Sequence, residues 1–367
     1  MNQIVRQPIA ATVTSIVAEK LRPLVQRIDA DGYYPAQVLR DLGGAAAYAH
    51  HTATLGRGPE GLTPAIGAMA EVGASCMSTA FCMWCQDALV WYLDRADNPA
   101  PQSKYLQAVA SGHVLGGTGL SNPMKAFAGF EPFALRGRRV AGGYRVSGRL
   151  PFVSNIEDGH LFASIFAIED TNERYAMAVF AAGSDGVKLA HNAHFIALEG
   201  TATVSVLIRD AFVPDDDVLS DDAAPFVQRI RKGFVLLQAG MALGVARGAS
   251  QLMRHDGPAG RAAQHLPLGP DGIDARAAQL TERIAAHIAD VEEPDRASFL
   301  AVLRTRLDLT WLALEAAQAA VLQYGARGYL TGAEPARRLR EAQFVAIVTP
   351  SVKHITTELA KDQSGID

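Results

Sequence analysis

Cys76, Cys82 and Cys85 are the chain's three cysteines, and Cys82-x-x-Cys85 has the spacing of a redox or zinc pair. Zinc needs a second pair and a redox thiol needs a strand ahead of it; neither is present, so the thiols are expected in the core as small apolar groups and no metal site is predicted. Gly116-Gly117-Thr118-Gly119 is rich enough in glycine to approach a phosphate, but lacks the full dinucleotide spacing and the strand–helix order that must accompany it. Two groups could move a proton. Glu199, beside Gly200-Thr201, can act as a base or simply shape a turn, and His354, one turn into the last helix, can be a donor or a cap. Arg337 and Arg340 are spaced to lie on one helical face, either solvated or binding a partner.

The elements that must position these groups fall into three blocks. Up to residue 115 the spacing is helical: Ile16, Leu21, Leu24, Val25 and Ile28 form one stripe, and Pro35 with Val38, Leu39 and Leu42 opens another helix. From 116 to 222 the runs Tyr144–Ser147, Leu161–Phe166 and Thr203–Ile208 are β-branched or aromatic and bounded by turn residues, which predicts a sheet. From 223 to 367 the helical period returns, with stripes at Ile273, Ala277, Leu280, Ile284, Ile288 and at Leu300, Leu303, Leu307, Trp311, Leu314, and a Gly- and Pro-rich loop over 257–272 is expected to break two of the bundle helices. Helices, then strands, then helices predict an α+β chain of three domains and exclude a doubly wound sheet.

Composition narrows the partners. Of 367 residues 49% are hydrophobic and 20% charged, which supports a folded core. The 34 basic and 38 acidic residues give −4 with no basic block, so neither nucleic acid nor an anionic membrane is an expected partner. The apolar run Ala74–Leu93 holds Ser75, Ser78, Thr79, Gln86 and Asp87 and is expected to be a buried helix, not a membrane span. The opening Met1–Arg6 has no signal-peptide pattern, which predicts a cytoplasmic protein with reduced thiols.

Three ordered segments resemble the acyl-CoA dehydrogenase superfamily of flavoproteins. Gly119-Leu120-Ser121-Asn122-Pro123 is similar to its Leu-Thr-Glu-Pro turn, and Val146–Asn155, ending Phe152-Val153-Ser154-Asn155, to its Gly-x-Lys-x-(Trp/Phe)-Ile-(Thr/Ser)-Asn strand. Ala197–Thr203 and Asp210–Leu219 resemble the strand pair closing its β domain, with the ending Val213-Pro214 … Val218-Leu219. Gly325-Ala326-Arg327-Gly328-Tyr329 with Arg337–Ala342 is similar to its Gly-Gly-x-Gly-Tyr and Arg-x-x-Arg-Asp-Ala signature. The resemblance implies an N-terminal α-helical domain, a middle antiparallel β domain and a C-terminal four-helix bundle. It also implies a flavin, FAD with FMN as the alternative. Leu120, Ser121, Phe152, Val153 and Ser154 would lie at the ring, and Gly325, Arg327 and Gly328 would reach a neighbouring subunit's cofactor in a homodimer or homotetramer.

Two departures bear on the reaction. The family's dehydrogenases use a glutamate to remove an acyl thioester's α-proton, and counting from Arg340-Glu341-Ala342 that position falls on Thr349. The alternative base position falls near Phe234, also without a carboxylate. The Arg-x-x-Phe-Gly element that helps hold pyrophosphate is missing, leaving Arg254, Arg261 or Arg327 as substitutes. Relatives lacking the glutamate include flavin-dependent monooxygenases, which need a water-poor pocket and a hydrogen-bond donor; Ser121, Ser154, Thr349 and His354 could supply it. The resemblance therefore implies a flavin-dependent oxidoreductase acting on a small organic substrate, an acyl-CoA or carrier-bound acyl group, with oxygen-using chemistry favoured. Its electron partner would be an electron-transfer flavoprotein, a flavin reductase or oxygen. The alternatives are α,β-dehydrogenation with a relocated base, Glu199 first among them, and a silent flavin- or acyl-thioester-binding protein.

Overall fold

A computed structural model describes residues 9–169, 173–255 and 265–364. The N-terminal part consists of α1 (Ile9–Ile16), α2 (Val25–Ala30), α3 (Ala36–Gly44), α4 (Leu62–Ser75), α5 (Met77–Asp94) and α6 (Pro99–Ala110). Ile16, Leu21 and Ile28 are buried as their spacing predicts. Pro35 precedes α3, and Asn98 caps α6 by accepting from the Ala100 N–H at 3.1 Å. The apolar run from Ala74 is two helices and not one, because Cys76 is extended (φ −151°, ψ 111°) and turns the chain between α4 and α5. Helix α5 is buried from Met77 to Leu93. All three cysteines are buried free thiols, and burial pushes their pKa values up, which makes them packing groups. No helix among the described residues is long and apolar enough to cross a membrane.

The middle part holds β1 (Gly116–Thr118), α7 (Ser121–Phe127), β2 (Leu135–Val140), β3 (Gly143–Val153), β4 (Leu161–Ile168), β5 (Tyr175–Ala181), β6 (Val187–Ala190), β7 (Val204–Pro214) and β8 (Val218–Ser220). They form one sheet in the order β6-β7-β3-β2-β4-β5-β8, with β1 paired to β4. Most neighbours are antiparallel as expected, but β4 runs parallel to β1 and β2, so the sheet is mixed. The cause is the return of the chain after β3 to the far side of β2, which sends β4 in the direction of β2. Along β4 the side chains alternate between two cores: Leu161, Ala163 and Ile165 join the helices, while Phe162 and Phe166 join a second core inside the sheet.

Between Leu150↔Val206 and Val153↔Val204, β3 advances three residues while β7 advances two. This bulge re-aims the end of β3, the strand that carries Phe152 and Ser154. The glycine cluster has a packing explanation: a Cβ on Gly117 would lie 2.2 Å from the Ser154 carbonyl oxygen, and one on Gly116 2.3 Å from that of Leu161. Glycine lets β1 nest against the loop after β3 and against β4, which brings Thr118 and Ser121 beside Ser154.

The C-terminal part contains α8 (Ala223–Leu237), α9 (Ala239–His255), α10 (Pro270–Ala286), α11 (Arg296–Tyr324), α12 (Glu334–Ile347) and α13 (Val352–Ser364). The described helices are thus six, four long ones extended by α12 and α13, and not four alone. On α10 the predicted stripe is buried at Ile273, Leu280 and Ile284. On α11 it is displaced: Trp311 is exposed, and the buried face runs through Leu303, Arg306, Leu309, Thr310, Ala313 and Ala317. Small alanines let neighbouring helices approach α11 closely, and the polar residues among them are satisfied by hydrogen bonds.

Of the two alternatives for Arg337 and Arg340, the solvated face fails for Arg337, while Arg340 is partly exposed and paired with Asp29. Arg337 and its neighbour Arg338 are buried, Arg337 pairing with Glu341 at 2.6 Å and Glu334 at 3.1 Å. Arg338 also holds Glu334 and donates to the carbonyls of Gly73 and Ala74 at the end of α4. Glu341 accepts from the Met77 N–H at the start of α5. The cluster therefore clasps the α4–α5 junction to α12.

Candidate functional site

A cavity of about 320 Å³ opens where the end of β3, the β1–α7 turn and the helices α5, α8 and α12 converge. Helix α5 contributes Phe81, Trp84 and Cys85, and α8 contributes Phe234. Phe234 lies 5.0 Å from Trp84 between ring centroids, and Phe81 4.5 Å from Phe344 of α12, so one wall is aromatic. From the sheet side come Thr118, Ser121, Phe152 and Ser154, with the Phe152 ring 55% exposed. The chain leaving α12 brings Ile347, Val348 and Thr349. Residues predicted from widely separated segments thus meet: Ser121, Phe152, Ser154, Phe234 and Thr349 line one space.

The polar groups on these walls are hydroxyls, the Cys85 thiol, the Gln343 amide and one guanidinium. Ser121 Oγ and Thr349 Oγ1 are 2.9 Å apart, and Ser154 Oγ lies 2.7 Å from Thr203 Oγ1. No Asp, Glu or His is among the described residues that line the cavity. Arg340 stands on the wall but is held by Asp29 at 2.9 Å and donates to the Ile196 carbonyl at 2.8 Å, tying the loop 195–198 to α12. Thr349 is fixed from behind. Its carbonyl accepts from Gln238 Nε2 at 2.8 Å, Gln238 Oε1 accepts from Arg306 Nε at 2.9 Å, and Arg306 Nη2 donates to the Val345 carbonyl at 2.7 Å. Gln238 and Arg306 were not identified from sequence as part of a site; an Arg and two Thr on the Ala-rich face of α11 were the trace of the buried relay.

Other predicted residues lie elsewhere. Glu199 is off the cavity wall: its Oε1 accepts from the Phe195 N–H and sits 3.6 Å from His194 Nδ1, closing the 194–199 loop. A base must reach the substrate, so this placement removes Glu199 from that role. His354 is buried against Phe130, with ring centroids 4.8 Å apart, and does not line the cavity. Leu120 and Val153 have buried side chains, Leu120 in the helical core and Val153 in the sheet core. Gly325, Arg327 and Gly328 form the turn after α11, where Gly325 has φ +57° and Arg327 is exposed. Arg254 is bound by Asp271 and Asp274, each at 2.7 Å, which removes it as a free phosphate partner. Arg261 lies outside the described residues.

Burial lowers the pKa of His354, whose Nδ1 has no hydrogen-bond partner among the described residues. A base that binds its proton less readily when folded favours unfolding as pH drops below its unfolded value near 6.5. The melting temperature is expected to fall between pH 7 and 5, and to fall less in His354→Gln. An equal fall in both would assign the acid sensitivity to other groups, His160 and His50 being lowered by burial as well.

Residues 6–113 match the family model described as acyl-CoA dehydrogenase, N-terminal domain. The whole chain has the acyl-CoA dehydrogenase fold: it superposes on butyryl-CoA dehydrogenase from Megasphaera elsdenii with a TM-score of 0.83 at 16% identity, covering 99% of both chains. KijD3 in complex with FMN and dTDP-3-amino-2,3,6-trideoxy-4-keto-3-methyl-D-glucose gives 0.79 at 21% identity, over 98% of this chain and 95% of that one. The nitrososynthase of Micromonospora carbonacea var. africana gives 0.77 at 16%, over 97% of each. Comparison with curated proteins finds no match. On the acyl-CoA dehydrogenase fold, the cavity sits where sheet and helical parts meet, and Thr349 and Phe234 are both on its wall.

Proposed function

We propose that the chain is a flavin-dependent oxidoreductase that oxidises a small organic substrate in this cavity, using molecular oxygen. The observation that carries the reading is the wall itself: a Ser121–Thr349 hydroxyl pair stands where a carboxylate would be required, and no lining residue can take an α-proton. Structures of the same fold include a complex holding FMN and a dTDP-sugar and a nitrososynthase, which supports chemistry other than acyl dehydrogenation.

The residues fit a flavin ring. A flat apolar body needs an aromatic face and a few edge hydrogen bonds; Phe152 supplies the face, and Ser121, Ser154 and the β1–α7 turn the edge. Bound there, a flavin supplies two-electron redox capacity and, once reduced by an external flavin reductase or electron-transfer flavoprotein, reactivity toward oxygen. The chain's part is to exclude water with the wall of Phe81, Trp84, Phe234 and Phe344, and to hold a hydroxyl proton at Ser121 or Thr349 beside the substrate. Phosphate binding would fall to the turn at Gly325, Arg327 and Gly328, facing a neighbour's cofactor in a homodimer or homotetramer. The exposure of Tyr329 (81%) and Leu330 (63%) next to that turn supports a covered surface. FAD, with FMN as the alternative, is the cofactor this arrangement implies.

Purified protein mixed with FAD or FMN is expected to turn yellow and melt at a higher temperature. Ser154→Ala should weaken binding about fivefold, one hydrogen bond being worth about 1 kcal/mol. A colourless protein with an unchanged melting temperature in both flavins refutes the reading.

A further inference from the structure

Arg306 lies inside α11 at 2% exposure, and its three hydrogen-bond partners are all neutral: Gln238, Thr310 and the Val345 carbonyl. It forms no ion pair among the described residues. Burial lowers its pKa to about 10, which leaves it protonated at neutral pH. A guanidinium in this position is costly unless negative charge comes near it. Two hydrogen bonds, through Gln238 to the Thr349 carbonyl, connect it to the wall of the cavity, where a ligand could bring that charge. The wall facing that point has no carboxylate to repel an anion, and its one charged residue, Arg340, is also positive and is tied to Asp29 outside. The Ser121–Thr349 pair has two hydroxyl hydrogens and uses one between the two oxygens, leaving one to donate into the cavity.

We infer that the cavity takes a small organic acid as its anion. The apolar body packs on Trp84 and Phe234, the carboxylate or other oxyanion accepts the one free hydroxyl hydrogen of the Ser121–Thr349 pair, and Arg306 supplies the favourable field from behind. The inference rests on the function proposed above, because the anion is taken to be that site's substrate, and it replaces the acyl thioester, whose reacting end is uncharged, by an acid.

Benzoate and benzamide have nearly the same shape and differ in charge, so their affinities isolate the field. Measured by calorimetric titration of the purified protein, benzoate is expected to bind about tenfold more tightly than benzamide, or about 1.4 kcal/mol. Arg306→Gln should bring the two within about threefold, and Arg306→Lys, which keeps the charge without the planar fork, should retain part of the preference. Should Arg306→Gln fail to fold, Thr349→Val takes its place: it must weaken benzoate more than benzamide, because a hydroxyl donates more strongly to a carboxylate than to an amide carbonyl, and equal weakening of the two overturns the inference. Benzamide binding as tightly as benzoate in the wild type overturns the inference, as does a folded Arg306→Gln that keeps the full preference. Loss of the preference in Arg306→Gln accompanied by unchanged benzamide affinity supports it. Titrations with and without flavin keep the two readings apart: benzoate preference in a protein that binds no flavin sinks the flavin reading alone, and flavin binding without benzoate preference sinks this one alone.

Discussion

Thr349→Glu is expected to give the protein an acyl-thioester dehydrogenation that the wild type lacks. The substitution places a carboxylate at the end of α12, on the cavity wall beside Ser121, whose hydroxyl is 2.9 Å from the Thr349 hydroxyl and can orient the new group. A positioned base contributes about 10²–10⁴ in rate to a proton transfer, so flavin bleaching by a saturated acyl thioester without oxygen should rise by about that factor. The native oxygen-dependent reaction should fall at the same time, because a charged carboxylate draws water into a pocket whose use depends on dryness. Binding of an organic acid should fall as well, since the added negative charge stands where its carboxylate would lie. Product formed per electron pair under oxygen and bleaching without it, measured on both proteins, decide the matter. Ready anaerobic bleaching of the wild type by a saturated acyl thioester would mean that a base outside the cavity wall reaches the substrate, and the oxygen-using reading would be abandoned.

The parts of the site that were legible in the sequence are those fixed by local pattern. The β-branched runs, with turn residues on either side, located β3, β4 and β7; Phe152 and Ser154 came from the motif resemblance and line the cavity, whereas Val153, expected beside them, is turned into the sheet core by the alternation of the strand. Counting from Arg340 placed Thr349, because α12 runs without interruption to Ile347. What was not legible depends on contacts far apart in the chain. Gln238 meets Thr349 across 111 residues and Arg306 meets Gln238 across 68, and no local rule distinguishes a buried arginine on an Ala-rich helix from an exposed one. The same limit misplaced Trp311, which periodicity alone assigns to the core but which the close packing of small residues on the other side of α11 leaves outside. Glu199 shows the converse: its type allows catalysis, and only its bond to the Phe195 N–H reveals that it closes a loop.

Arg338→Met should destabilise the fold by about 3–5 kcal/mol, the usual cost of removing one partner from a buried ionic cluster. The thioether fills part of the space but cannot donate, so the carbonyls of Gly73 and Ala74 lose their cap at the end of α4 and Glu341 keeps only Arg337 and the Met77 N–H. Lysine should serve little better, because Arg338 reaches Glu334, Glu341 and the α4 carbonyls with separate arms of one planar group, and its close fit depends on Gly248, where a Cβ would lie 2.8 Å from the guanidinium carbon. Arg340→Met provides the comparison within the same helix: its pair with Asp29 is a third exposed, so its loss should cost about 1 kcal/mol or less. The shift in denaturant midpoint measures both, and an Arg338→Met loss no larger than that of Arg340→Met would mean that the clasp between α12 and the α4–α5 junction is replaceable. A large loss would have a consequence for the site as well, since α5 brings Phe81 and Trp84 to the cavity and α12 leads to Thr349; the arginine that joins the two helices is then what keeps the aromatic wall opposite the hydroxyl pair.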